Sequence, residues 1–296
     1  MNIGDEIKRA FSSGTSLTKL ILINLAVFLI VKLVNVFLFL FLEAGSEDFL
    51  INSLALPADL SALAKKPWTA ISYMFLHNGL FHILFNMLWL YWFGRIFLEY
   101  LDQKKLLSVY VIGGLAGGAF YILCYNLFPV FAPAVPQSIA LGASAAVLAV
   151  VVTIAFYAPD YKINLMFVGA VKIKHIALVS IVIDILSIQS DNAGGHLAHL
   201  GGAMFGLAYA WQIRKGKDMT AGFSRFMDKL FSIFKPRPKL RVKYKRPSNS
   251  ETDIEYNTRK VDEQKEIDRI LEKISKSGYS ALTKEEKELL FKSSKK

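Results

Sequence analysis

A single cysteine, Cys124, stands in 296 residues, so no disulfide can form within the chain and a cystine-stapled scaffold is excluded. Cys124 lies in an apolar run, where a free cysteine acts as a small buried hydrophobe. Proline is sparse at nine residues and charged residues make up only 20%. A disordered chain, which is poor in apolar residues and rich in charge, is excluded with it. What remains is apolar. Hydrophobic residues are 53% of the chain, above the roughly 45–50% of soluble proteins on a count that includes glycine. Charge divides the chain in two. Residues 1–213 carry 12 basic and 11 acidic side chains, and residues 214–296 carry 23 and 13, so nearly all of the +11 belongs to the tail. The pattern is that of a membrane protein with a basic tail, which also excludes a wholly soluble enzyme.

A hydrocarbon layer of about 30 Å needs about 20 apolar helical residues. Residues 20–42 meet this, too long for a signal-peptide core and without a cleavage site, so they read as a retained span. Further runs cover roughly 78–98, 106–127, 141–158, 175–188 and 195–213, giving six, with the start of the fifth open because Ile163–Val171 is also apolar. The expected layout is a short N-terminus (1–19), an all-α bundle of six transmembrane helices (20–213) and a basic tail (214–296). With the N-terminus cytoplasmic, the inner segments before the tail hold nine Lys or Arg and the outer loops hold only Lys65 and Lys66. The positive-inside rule then puts both ends in the cytoplasm.

In that orientation the second, fourth and sixth spans enter from the outer side, and their first turns carry His82 and Asn86, Ser144, and His196 and His199. Each lies roughly 5–12 Å deep at 1.5 Å per residue. Three helices bringing polar groups to one depth point to a shared site. Ser144, in the run Leu141-Gly142-Ala143-Ser144-Ala145, opens its span among backbone N–H groups without intrahelical partners, where an oxyanion is stabilised. The bland alternative is a helix serine bonded to the preceding turn. His196 and His199 open the sixth span, and histidine is the usual general base near neutral pH. An i,i+3 histidine pair without a carboxylate or thiolate nearby is a poor zinc set, so no metal is expected. Gly202 and Gly206 form a small-x-x-x-small pair that lets two backbones approach, carrying His199 towards a neighbour. His82 and Asn86 share a helix face and can both donate, either as helix–helix glue or to a developing negative charge.

The run from Phe75 to Met87 (FLHNGLFHILFNM), the Gly142-Ala143-Ser144 start and the Ala198-His199-Leu200-Gly201-Gly202-Ala203-x-x-Gly206 segment together resemble the rhomboid intramembrane serine proteases, over about residues 60–213. The resemblance implies a dyad of Ser144 as nucleophile and His199 as base. It gives an oxyanion hole of His82, Asn86 and the Ser144 amide, and helix packing at Gly142, Gly202 and Gly206. It implies hydrolysis of transmembrane protein substrates without cofactor or metal, in a bacterial inner (plasma) membrane. The chain departs from the pattern at Ala145, Leu148 and Thr69, where many or some rhomboids have glycine, tyrosine and arginine. Asp184 lies near the outer end of the fifth span at nearly the depth of His199. The dyad pattern makes a paired structural carboxylate the expected reading, against a third catalytic member. Lys32, in the first span, snorkels, lines the interior or pairs with Asp184. Gly113-Gly114 and Gly117-Gly118 read as close-packing positions. The rival readings are a catalytically silent rhomboid-like binder of membrane helices and a proton-conducting transporter.

In the tail, apolar residues recur at helical spacing over 219–234, giving an amphipathic helix in the inner interface or beneath the bundle. The linker 235–260 begins with seven basic residues and no acid up to Arg246, which suits anionic membrane lipid and not nucleic acid. Residues 261–292 read as a helical hairpin, with Thr283 and Glu286 as a capping box, able to take a protein partner.

Overall fold

The computed structural model describes residues 14–41, 49–166, 168–234 and 252–293. Most of the short N-terminus and the basic run 235–246 lie outside the described residues. The chain forms two compact units, Met1–Lys235 and Pro236–Lys296.

In the first unit, α1 (Ser16–Phe41) is followed by three short helices, α2 (Phe49–Leu54), α3 (Leu60–Lys65) and α4 (Thr69–Ser72). Then come α5 (Leu80–Tyr100), α6 (Gln103–Leu127), α7 (Ser144–Tyr157), α8 (Ile173–Leu186), α9 (Ala193–Arg214) and α10 (Ala221–Phe234). Each of the six apolar runs falls on one of α1, α5, α6, α7, α8 and α9. By length and composition α1, α5 and α6 can each cross a membrane, and α7 is a shorter apolar helix. The protein is an all-α polytopic membrane bundle. Leu29, Ile30, Leu33 and Phe37 of α1 point outward, as befits a helix whose solvent is lipid.

α7 is the centre. Ala145 to Ala155 are all buried, with α5, α6, α8 and α9 packed around them. Its surface is built of alanine and valine, so neighbouring helices come close. A β-carbon on Gly113 of α6 would meet the Ala149 methyl at 2.2 Å, and one on Gly117 would meet that of Ala145 at 2.6 Å. The close-packing reading of these glycines holds.

One feature settles what the sequence left open. The apolar stretch 163–171 does not start the fifth helix. It makes a hairpin of β3 (Lys162–Leu165) and β4 (Gly169–Lys172), with Lys162 opposite Lys172, and α8 follows directly. The loop before α5 is structured as well. β1 (Leu56–Pro57) pairs antiparallel with β2 (Ile139–Ala140), and Ala58 donates to the Ser138 carbonyl at 3.0 Å. The first loop thereby holds the approach to α7.

α10 packs on the start of α6, where Ser224 and Ser108 hydroxyls lie 2.9 Å apart and Lys104 pairs with Asp228 at 2.6 Å. The second unit holds α11 (Asp253–Ser277) and α12 (Lys284–Ser293). α11 starts within residues the sequence assigns to the linker, because Thr252 and Glu255 close a capping box there. Lys273 binds both oxygens of Glu286 at 2.9 Å and ties the two helices together.

Candidate active site

Ser144 is the first residue of α7, and Gly142 just before it sets the entry. Gly142 has φ +133°, a backbone conformation that side chains of L-residues rarely adopt, and its N–H donates to the Tyr73 carbonyl at 2.9 Å. A β-carbon here would lie 3.0 Å from His82 Nε2 and 3.4 Å from Ser144 Oγ. Glycine thus leaves the imidazole of His82 and the hydroxyl of Ser144 room on one side of the chain.

α9 reaches the same point through its glycines. β-carbons on Gly202 and Gly206 would come within 2.2 Å of the Ala145 carbonyl oxygen and 2.5 Å of the Ala149 carbonyl oxygen, one helical turn apart on α7. With the backbones in contact there, His199, three residues before Gly202, meets the start of α7. Its Nε2 lies 2.6 Å from Ser144 Oγ. Ala145, at one of the departures from the rhomboid pattern, presents its carbonyl to Gly202 and its methyl to Gly117 of α6, so the departure leaves the α7–α9 contact intact.

Asp184 meets both histidines of α9. It sits in the last turn of α8, buried, and its Oδ1 lies 2.8 Å from Nδ1 of His199 and 2.8 Å from Nδ1 of His196. These Asp184, His196 and His199 ligand atoms lie within 4.8 Å of one another, so the carboxylate missing from the sequence neighbourhood of the histidines arrives through the fold. A signal for this existed. α8 and α9 are joined by only residues 187–192, so residues at similar distances before and after that turn face each other. Lys32 does not take part. Its Nζ donates to the Asn78 carbonyl at 2.9 Å and lies 5.9 Å from the centre of the Phe28 ring.

Asn86, one turn after His82 on α5, donates from Nδ2 to the His82 carbonyl at 2.8 Å. An amide nitrogen carries two hydrogens, so one remains for another acceptor. Ser144, His199, His82, Asn86 and Asp184 all border one open cleft of about 490 Å³, whose walls also include Phe85, Trp89, Leu148 and Ile183. The cleft is lined by both polar and apolar side chains. It can accept an apolar peptide segment and bring one carbonyl to Ser144.

An all-α bundle of apolar helices with a serine–histidine contact in an open cleft defines the class as a polytopic membrane protein. The family model described as Rhomboid domain matches residues 64–216, just over half of the chain, and the chain belongs to the rhomboid family. Residues 250–296 match a family of unknown function, DUF6576. RHOMBOID-like protein 12, mitochondrial, of Arabidopsis thaliana is 30% identical over 193 residues, 62% of this chain and 57% of that protein. Presenilin-associated rhomboid-like protein, mitochondrial, of Rattus norvegicus is 26% identical over 153 residues, 49% of this chain and 37% of that one. Rhomboid protease GlpG of Pectobacterium atrosepticum is 30% identical over 88 residues, 30% of this chain and 31% of that one. The chain thus spans between about a third and three fifths of these relatives. The mitochondrial names lend no support to the expected bacterial plasma membrane.

Proposed function

We propose that the protein is an intramembrane serine endopeptidase that hydrolyses peptide bonds in or beside transmembrane segments of other membrane proteins. The observation that carries this reading is the 2.6 Å contact between Ser144 Oγ and His199 Nε2, made by two helices inside the bundle. Ser144 Oγ attacks the scissile carbonyl carbon while its proton passes to His199 Nε2. The resulting oxyanion takes hydrogen bonds from the Ser144 amide, unpaired at the helix start, and from His82 and Asn86. Collapse expels the amine with the proton from Nε2 and leaves an acyl-serine. Water, deprotonated by His199, then attacks the acyl carbon. The proton returns to Ser144 Oγ as the acid product leaves.

Hydrolysis needs water at a depth where lipid holds almost none. α7 has 14 residues, about 21 Å of helix, shorter than a bilayer core, so its first residue starts below the surface. An open cleft at that end supports a wet site. A substrate helix must unwind locally to present its carbonyl, since that oxygen is otherwise held in helical hydrogen bonds. The arrangement we infer has six crossings by α1, α5, α6, α7, α8 and α9 and both ends in the cytoplasm, supported by the lysine and arginine asymmetry.

A fluorophosphonate probe tests the reading. Wild type labels, Ser144→Ala does not, and His199→Ala loses most of its labelling, with hydrolysis down on the order of 10⁴–10⁶-fold in both. Wild type that stays unlabelled while correctly folded would support the silent binder of membrane helices instead.

We also infer that the tail meets anionic lipid, supported by the basic run 235–246 following the amphipathic residues of 221–234. A peptide of residues 219–246 should bind vesicles containing phosphatidylserine and release with salt. Equal binding to neutral vesicles rejects this.

A further inference from the structure

The dyad chemistry leaves unused a buried carboxylate beside its base. Asp184 is 6% exposed in the last turn of α8, and a carboxylate inside a membrane bundle is costly unless partners satisfy it. Both of its partners are imidazoles. His196 and His199 stand at i and i+3 on one face of α9, and both Nδ1 atoms meet the same oxygen, Oδ1, at 2.8 Å. The other nitrogen of His199 faces Ser144 Oγ at 2.6 Å. The order along this line is carboxylate, imidazole, hydroxyl.

We propose that Asp184 is the positioning residue of the active site. This rests on the serine-peptidase reading above. A carboxylate oxygen can only accept, so at 2.8 Å it places the proton of His199 on Nδ1 and leaves the Nε2 lone pair facing the Ser144 hydroxyl. In the other tautomer Nε2 would carry hydrogen and could not receive the serine proton. When that proton does arrive at Nε2, the imidazole becomes positive with Asp184 beside it, and the charge is stabilised without any group having to move. His196 has a part in this. Its own Nδ1–H on the same oxygen holds the carboxylate from a second point on α9, so the group keeps its aim at His199. A carboxylate that merely tied α8 to α9 would have no need to meet the one histidine that touches Ser144.

The test uses the full chain in detergent, uniformly labelled with ¹⁵N-histidine, as wild type, Asp184→Asn and Asp184→Glu. The His199 resonances are those lost in His199→Ala. In wild type, Nδ1 is protonated and Nε2 is bare. In Asp184→Asn, the new amide donates to Nδ1 and moves the proton to Nε2. There kcat for a transmembrane substrate falls on the order of 10²–10⁴-fold, with KM unchanged. Asp184→Glu, which keeps the acceptor, restores the wild-type tautomer and part of kcat. A merely structural tie would lower the yield of folded protein and leave both the tautomer and the kcat of the folded fraction alone. Unchanged kcat in Asp184→Asn, or wild-type His199 protonated on Nε2, overturns the proposal. The second result needs no variant to fold. Failure of the peptidase reading shows separately, as wild type unlabelled by fluorophosphonate, and the tautomer is read in either case.

Discussion

Gly202 lies against Ala145 so closely that a β-carbon on the glycine would come within 2.2 Å of the alanine carbonyl oxygen. That contact between α9 and α7 fixes how far apart Ser144 and His199 can be, since each is at most three residues from it. Small residues here do more than fill space, because they set the reach of a proton transfer.

Gly202→Ala should therefore weaken activity beyond its effect on stability. A backbone oxygen cannot swing aside as a flexible side chain can, so the helices must separate, at about 1–3 kcal/mol for overpacking. Gly222→Ala, where a β-carbon meets nothing within 4 Å, is the control. Melting temperature and phosphonate labelling rate, measured together, check this. Equal labelling in both variants counts against the spacing argument.

His82→Ala and Asn86→Ala should each lower kcat by about 10²–10³, the usual loss for one oxyanion donor, and leave KM close to wild type. Both variants retain Ser144 and His199, so residual labelling by the phosphonate is expected. Steady-state kinetics on a transmembrane substrate measures the split. Turnover at the wild-type rate in both variants would remove these residues from the oxyanion hole.

His77, in the segment before α5, is buried against His82 with ring centres 5.1 Å apart, and neither of its nitrogens has a hydrogen-bond partner among the described residues. Burial pushes its imidazole down to about 4, and the neighbouring His82 acts in the same direction. The unfolded chain, with an ordinary histidine near 6.5, binds more protons than the folded one between those values. The contribution of His77 to stability is complete above about pH 6.5 and is lost as pH falls towards 4. His77→Leu should flatten the fall in melting temperature between about pH 7 and pH 4.5. A variant with the wild-type pH slope contradicts the assignment.

Much of the site can be read from residues 75–87, 142–144 and 198–206, because each motif opens a helix and helix starts are local. Burial of Ala145 to Ala155 follows from their composition as directly. The position of Asp184 does not. Residues 184 and 199 belong to different helices, and only the short turn 187–192 brings them level. The sequence puts the carboxylate at nearly the depth of His199 and leaves its partner open. The hairpin at 162–172 was hidden for a related reason, since short apolar runs suit strand and helix alike.

The sequence by itself determined where the long apolar runs lie, that they are apolar enough for lipid, and which residue types stand near their ends. Hydrophobic period, caps and glycine spacing act over a few residues and need no distant partner. Only the tertiary structure decided that Lys32 turns to Asn78, that the first loop pairs with residues 139 and 140, and that one carboxylate oxygen serves two histidines. Those outcomes depend on distances between helices, and such distances are set when backbones close on one another at Gly202 and Gly206.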